Sequence, residues 1–221
     1  MKSYIHHIAT RVPCVAYSQA FTRDFFKDRA PDAKTRRLIH AIYERSGIAS
    51  RHSVVEDFVE GAEPQLFKRN EEGHIIPPGT RARNQVYAIR AREMAVALAR
   101  EVIDETPGFA GEDITHIIFA SCTGFANPGP DYSIIRELGL NEGVERYTLG
   151  FMGCYAAFPA LRMADQFCAA NPGAVVLVMC LELCTLHLQF NQLTDSILAN
   201  SLFADGAAAA IVSARPPQRG V

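Results

Sequence analysis

Tryptophan is absent from this 221-residue chain, and so are several longer signals that decide a function at once. No uninterrupted apolar run approaches the ~20 residues that cross a bilayer as a helix. The N-terminus, Met1-Lys-Ser-Tyr-Ile-His-His7, lacks the apolar stretch of a secretory signal peptide. Neither a Walker-type phosphate loop nor a Gly-x-Gly-x-x-Gly turn occurs, so nothing supports a bound nucleotide. Charge is nearly balanced, with 22 Lys and Arg against 24 Asp and Glu, which leaves no electrostatic footprint for nucleic acid. The basic groups Lys34-Thr-Arg36-Arg37, Arg81-Ala-Arg83 and Arg90-Ala-Arg92 read as solvated helix faces. The expectation is a cytoplasmic protein with no membrane and no nucleic-acid partner.

A disulfide framework is also missing. The six cysteines are irregularly spaced, as reduced thiols are. Cys180-Leu-Glu-Leu-Cys184-Thr-Leu-His187 places two sulfurs and an imidazole close together, but no second Cys/His pair has the spacing of a zinc site. Cys180 also follows Val175-Val-Leu-Val-Met179, which reads as a buried strand. No metal is therefore expected, and Cys180 is expected in the core.

Strand and helix patterns alternate along the chain. Strands are expected at 3–12, 114–121, 146–149, 174–181 and 206–213. Helices are expected at 33–46, 83–105, 132–138, 154–169 and 195–203. Residues 61–80, rich in Glu, Pro and Gly, read as an irregular surface excursion. Apolar strands joined by helices imply a layered α/β protein with a mostly parallel sheet. Residues 1–213 are read as one domain and 214–221 as a linker.

The stretch richest in chemistry is Gly150-Phe-Met-Gly-Cys154-Tyr-Ala-Ala-Phe158. An apolar segment ends, two glycines bracket a turn, and a cysteine stands where a small-residue helix is expected to begin. Free N–H groups and the positive dipole end of a helix stabilise a thiolate. Such a cysteine can carry an acyl group as a thioester. The plain alternative is a small buried residue at a strand–helix junction.

Three segments, in order, carry a family resemblance over most of the chain. Thr115-His-Ile-Ile-Phe-Ala-Ser-Cys-Thr-Gly124 with Asn127-Pro-Gly-Pro-Asp-Tyr132, then Gly153-Cys154-Tyr-Ala-Ala157, then Ser201-Leu-Phe-Ala-Asp-Gly-Ala-Ala208 resemble the N-terminal half of a type III polyketide synthase. This is the chalcone synthase-like branch of the thiolase superfamily. The resemblance implies a thiolase-like layered α/β fold, with a mostly parallel mixed sheet and helices on both faces.

It also implies an activity. Cys154 would accept a starter acyl group from a coenzyme A thioester and hold chains extended by decarboxylation of malonyl-CoA, with no cofactor beyond these thioester substrates. Phe203 would be the gatekeeper of the passage to the cysteine, although before a turn it also reads as a core aromatic. Cys122, Thr123 and His187 would fall at or near the acyl cavity, with Cys122 and His187 replacing hydroxyl residues of plant members. A His among Leu residues has a structural reading too. Arg45 would grip coenzyme A, while Leu38 and Ala41 replace two basic residues there. Asn127, Pro128 and Gly129 would form a homodimer loop, with Asn127 in place of a methionine. Asp205 is expected to hold its neighbouring glycine turn.

Family catalysis also uses a His and an Asn from a second half, and no segment here matches either. The chain is expected to be a fragment, a truncated frame or a subunit completed by a separate C-terminal half, with a sheet face left uncovered. A ketoacyl-acyl carrier protein synthase and a non-catalytic assembly subunit stand as alternatives.

Overall fold

The computed structural model describes residues 2–217. In chain order its elements are β1 (Tyr4–Arg11), β2 (Val15–Ser18), α1 (Gln19–Lys27), α2 (Ala33–Arg45), β3 (Ser50–Ser53), α3 (Thr80–Asp104), β4 (His116–Ser121), α4 (Pro130–Leu138), β5 (Glu145–Gly150), α5 (Ala157–Ala170), β6 (Val175–Leu183), α6 (Thr194–Leu202) and β7 (Asp205–Ser213). They belong to two compact units, one of residues 2–11, 84–182 and 207–217, the other of residues 12–83 and 183–206.

The first unit holds a five-stranded sheet in the order β1-β7-β6-β4-β5. β4 runs parallel to both neighbours, with Phe119 opposite Thr148 on one side and Met179 on the other. β1 closes the far edge antiparallel to β7. The continuous apolar runs predict this arrangement, because a strand covered on both faces has no polar side to show. On one face Ile118, Val176, Val178 and Val212 pack with Ala160, Ala164 and Cys168 of α5. On the other, Ile117, Phe119, Leu177 and Met179 are no more than 2% exposed. The uncovered sheet face expected from the sequence is therefore not found at these central strands. α3 supplies a buried stripe, Ala91, Ala95, Leu98, Ala99 and Val102, at the spacing of one helical face. At the expected linker, Arg215 pairs with Asp113 at 2.7 Å and covers the Phe109 ring. Residues 218–221 of that linker lie outside the described residues.

The second unit holds α1, α2, α6 and the antiparallel pair β2–β3. Ser18 and Asp32 cap α1 and α2 by accepting the backbone N–H groups of Phe21 and Thr35, each satisfying a donor that lacks a helical partner. Ile39, Tyr43 and Ile197 form one small core. Phe25, Phe26, Phe58, Phe67 and Phe190 form a linked aromatic cluster beside it. Residues 61–79 contain no helix and no named strand. The sequence reading missed β2 and β3, whose four residues each are too few to establish a period, and also α1, which is as long as α4 and α6.

Arg83 corrects one sequence expectation. It is buried, not solvated, and donates to Pro78 O at 2.9 Å, to Leu188 O at 3.2 Å and to Leu186 O. Burial pushes its pKa down.

Candidate active site

β5 ends at Gly150, and the chain reverses through two left-handed residues, Phe151 at φ +57° and Gly153 at φ +79°. Glycine adopts this conformation freely, whereas a bulky residue there costs about 1–3 kcal/mol. Phe151 is also 80% exposed, so its own packing does not repay that cost. A lead-in turn follows, in which the Ala156 N–H donates to Gly153 O at 3.1 Å and the Phe158 N–H to Tyr155 O at 2.9 Å. α5 proper starts at Ala157, three residues later than expected from the sequence, so Cys154 stands in the lead-in turn. The thiol is exposed, as are Tyr155 and Phe158 beside it.

Neighbouring parallel strands converge on this edge. Cys122 directly follows β4, Cys154 stands shortly after β5, and Glu182 lies at the end of β6. The carboxyl ends of parallel strands are where open α/β sheets bind ligands. Both oxygens of Glu182 accept the Cys122 N–H, at 2.9 and 3.0 Å, and one accepts the Thr123 hydroxyl at 2.8 Å. The Cys122 sulfur accepts the Gly153 N–H at 3.1 Å. The structure thus brings Cys122, Thr123 and the cysteine turn together. Glu182 escaped the sequence reading, although a carboxylate inside Val175–Leu183, an otherwise uncharged strand, was the available signal.

Behind this edge the Tyr87 hydroxyl donates to Ser121 Oγ at 2.7 Å, and burial pushes the phenol to about 12. Gly124 lies against the same ring, and an added Cβ would fall 2.2 Å from it. We expect Gly124→Ala to lose about 1–3 kcal/mol of stability in urea denaturation, from overpacking against a buried aromatic. An unchanged midpoint would refute the close approach.

The expected dimer loop follows β4. Asn127–Pro128 is a cis peptide, Asn127 and Pro128 are exposed, and Pro130 opens α4. Asn127, Pro128 and Gly129 line a cavity of about 300 Å³ with Tyr87, Arg146 and Phe151. Arg146 pairs there with buried Asp131 at 2.7 Å.

Other expected site residues belong to the second unit. Phe203 and His187 line a cavity of about 270 Å³ with Cys184, Asp195 and Ala199. Phe203 is 48% exposed and is no core aromatic. Its carbonyl accepts from the buried Arg51 guanidinium at 2.9 Å, and that guanidinium also donates to Asn200 O at 2.6 Å. Gln19 holds Ser201 O at 2.8 Å. These side chains satisfy carbonyls at the end of α6 that lack a helical partner.

Asp205 is a correction. Its carboxylate accepts the N–H groups of Val54 and Thr185, each at 2.8 Å, and the Thr185 hydroxyl at 2.5 Å. It thus binds segments distant in sequence rather than its own glycine turn. Burial pushes its pKa up. Arg45 is the exposed last residue of α2.

Among the described residues no group of three His, Cys, Asp or Glu could hold a metal ion, and no helix is long and apolar enough to cross a membrane. Cys180 is half-buried and Cys168 buried, and desolvation pushes both thiols up. Iodoacetamide should therefore label exposed Cys154 and Cys14 well before Cys168 and Cys180 in the folded chain, read by peptide mass spectrometry. A Cys154 rate no greater than that of Cys14 would count against any activation by the turn.

The model of the N-terminal domain of chalcone and stilbene synthases matches residues 2–216. The Mycobacterium tuberculosis alpha-pyrone synthesis polyketide synthase-like protein Pks18 is 31% identical over 214 residues, covering 97% of this chain and 52% of that protein. The 1,3,6,8-tetrahydroxynaphthalene synthase of Streptomyces coelicolor is 32% identical over 197 residues, covering 88% of this chain and 48% of that protein. The crystal structure of PKS-I from the brown alga Ectocarpus siliculosus superimposes with a TM-score of 0.84 at 31% identity, covering 96% of this chain and 56% of the alga's. The chain thus spans about half the length of the curated relatives it matches. It belongs to the chalcone and stilbene synthase family, within the type III polyketide synthases, and carries that family's N-terminal domain.

Proposed function

We propose that this chain is the nucleophile-bearing half of an acyltransferase that condenses malonyl-CoA with a starter thioester. The observation that carries the reading is the exposed thiol of Cys154, standing in the turn between β5 and α5 at the carboxyl edge of the parallel strands. Its thiolate attacks the carbonyl of the starter acyl-CoA, a thioester forms on Cys154, and coenzyme A leaves as the thiol with a proton from solvent. Malonyl-CoA then loses carbon dioxide. The resulting enolate attacks the Cys154 thioester carbonyl, the C–S bond breaks, and a β-ketoacyl-CoA and the free thiolate result. The family resemblance assigns Phe203 to the passage, Cys122, Thr123 and His187 to the acyl path, and Arg45 to the phosphates of the carrier. Asn127, Pro128 and Gly129 face a second copy of the protein, where a rigid loop loses little entropy on association.

Enolate formation needs oxyanion donors, and the thiolate needs a cationic partner. The family resemblance assigns both to a His and an Asn of the second half, so catalysis by this reading requires that half. The test is incubation with radiolabelled malonyl-CoA and a panel of acyl-CoA starters, with and without a separately expressed C-terminal half. Product is expected only with both. Robust product from the 221-residue chain alone would overturn the division of labour. Absence of product with both halves would sink the proposed activity.

A further inference from the structure

One cavity of the second unit takes no part in the reaction proposed above. It measures about 370 Å³ and is lined by Phe26, Ile39, Tyr43, Phe190 and Ile197 on its apolar side. Phe26 and Phe190 lie nearly parallel, with ring centroids 5.7 Å apart, and Tyr43 lies 6.3 Å from Phe26. Such a wall suits a planar ring better than a flexible chain, because ring–ring contacts add to the area buried.

The mouth is polar and cationic. Arg29 lines it with Asn191, Gln192 and His74. Arg29 donates to Phe25 O at 2.7 Å and stacks 3.8 Å over the Phe25 ring, but forms no ion pair among the described residues. A second guanidinium, Arg69, acts on it electrostatically and, among the described residues, donates a long hydrogen bond of 3.4 Å to Gly73 O. Two carboxylates are also present. Glu72 is engaged with His74 at 3.4 Å, and Asp28 lies on the lining. Burial first, and then repulsion from Arg69, push the Arg29 pKa down against a smaller attraction from Asp28. An anion at the Arg29 guanidinium would offset that repulsion and accept hydrogen bonds from its donors.

We propose that this cavity is a binding site for an aromatic monocarboxylate, its ring against Phe26, Phe190 and Tyr43 and its carboxylate at Arg29. The cavity shares a wall with the one that holds Phe203. Ile197 and Asn200 of α6 face the aromatic cavity, whereas Asp195, Ser196 and Ala199 of the same helix face the other, and Asn200 borders both. Occupancy therefore steadies the helix that leads into Phe203. This proposal is independent of the condensing activity, since its readouts are binding and backbone protection.

The probe is 2-naphthoate, titrated by calorimetry into the full chain, with 2-naphthalenemethanol as the neutral analogue and inorganic phosphate as the anion without a ring. Naphthoate should bind saturably at one site, about two- to fivefold tighter than the neutral analogue, the range one solvent-screened ion pair supplies. Arg29→Ala should erase that preference, and Gln192→Trp at the mouth should block binding. Both positions are exposed, so folding is retained, as a far-ultraviolet spectrum can verify. Ser196→Phe, which alters only the other cavity, should leave naphthoate affinity unchanged, and amide exchange at 197–203 should slow on binding. Failure to saturate, equal affinity for the neutral analogue, or loss of binding in Ser196→Phe with retention in Gln192→Trp would each overturn the proposal.

Discussion

Replacing Cys154 with alanine should remove starter loading and condensation entirely in enzyme assembled from both halves. Loss of a nucleophile that works as a unit with its partners costs on the order of 10⁴–10⁶-fold in turnover. Acyl transfer to the protein, followed by intact-mass spectrometry with an acyl-CoA starter, should show one added acyl group on the wild type and none on Cys154→Ala. Cys122→Ala is the informative companion. Its sulfur receives the Gly153 N–H and its own N–H is held by Glu182, so it belongs to the frame of the turn and loading at Cys154 should persist. Acyl label retained on Cys154→Ala and lost on Cys122→Ala would transfer the nucleophile to Cys122 and overturn the assignment.

Asp205→Ala should cost about 3 kcal/mol or more of folding stability, read from urea denaturation followed by circular dichroism. The substitution strands the N–H groups of Val54 and Thr185 and disturbs the Thr185 hydroxyl, which also meets Ser53 Oγ at 2.7 Å. Each buried donor left without an acceptor costs about 1–3 kcal/mol. A loss within experimental error would mean that these donors find water. A pH dependence accompanies this. Burial raises the carboxyl above its ordinary value of 3.8, so the folded state holds that proton more tightly than the unfolded chain does. The associated stability is full below the ordinary value and is lost as the pH rises through the folded one. Between pH 3 and 7 the wild type should therefore lose stability relative to Asp205→Asn, and parallel curves would refute the raised value.

The central layer of this protein was legible in the residues. Val175–Met179 and Ile117–Ala120 are apolar without alternation, and such runs have one stable placement, inside a sheet covered on both faces. Ala33–Arg45 announced itself by period and by Gly47, which takes φ +69° after the helix end. The cysteine turn was visible from its glycines, and the ordered motifs around Cys122, Cys154 and Phe203 were enough to indicate the family. The start of α5, by contrast, fell three residues later than its pattern suggested, because a lead-in turn and a first helical turn present the same side-chain spacing.

What only the tertiary structure decided were the partners of polar groups. Glu182 reaches Cys122 across 60 positions, Arg51 reaches Phe203 across 152, and Asp205 reaches Val54 across 151. Arg83, one of a run of basic residues, turned inward to carbonyls more than 100 positions away. Hydrophobic period encodes which face of an element is buried, because burial depends on area and has no direction. A hydrogen bond depends on the distance and angle to one particular atom, and which atom stands there is settled only when the strands and helices have packed.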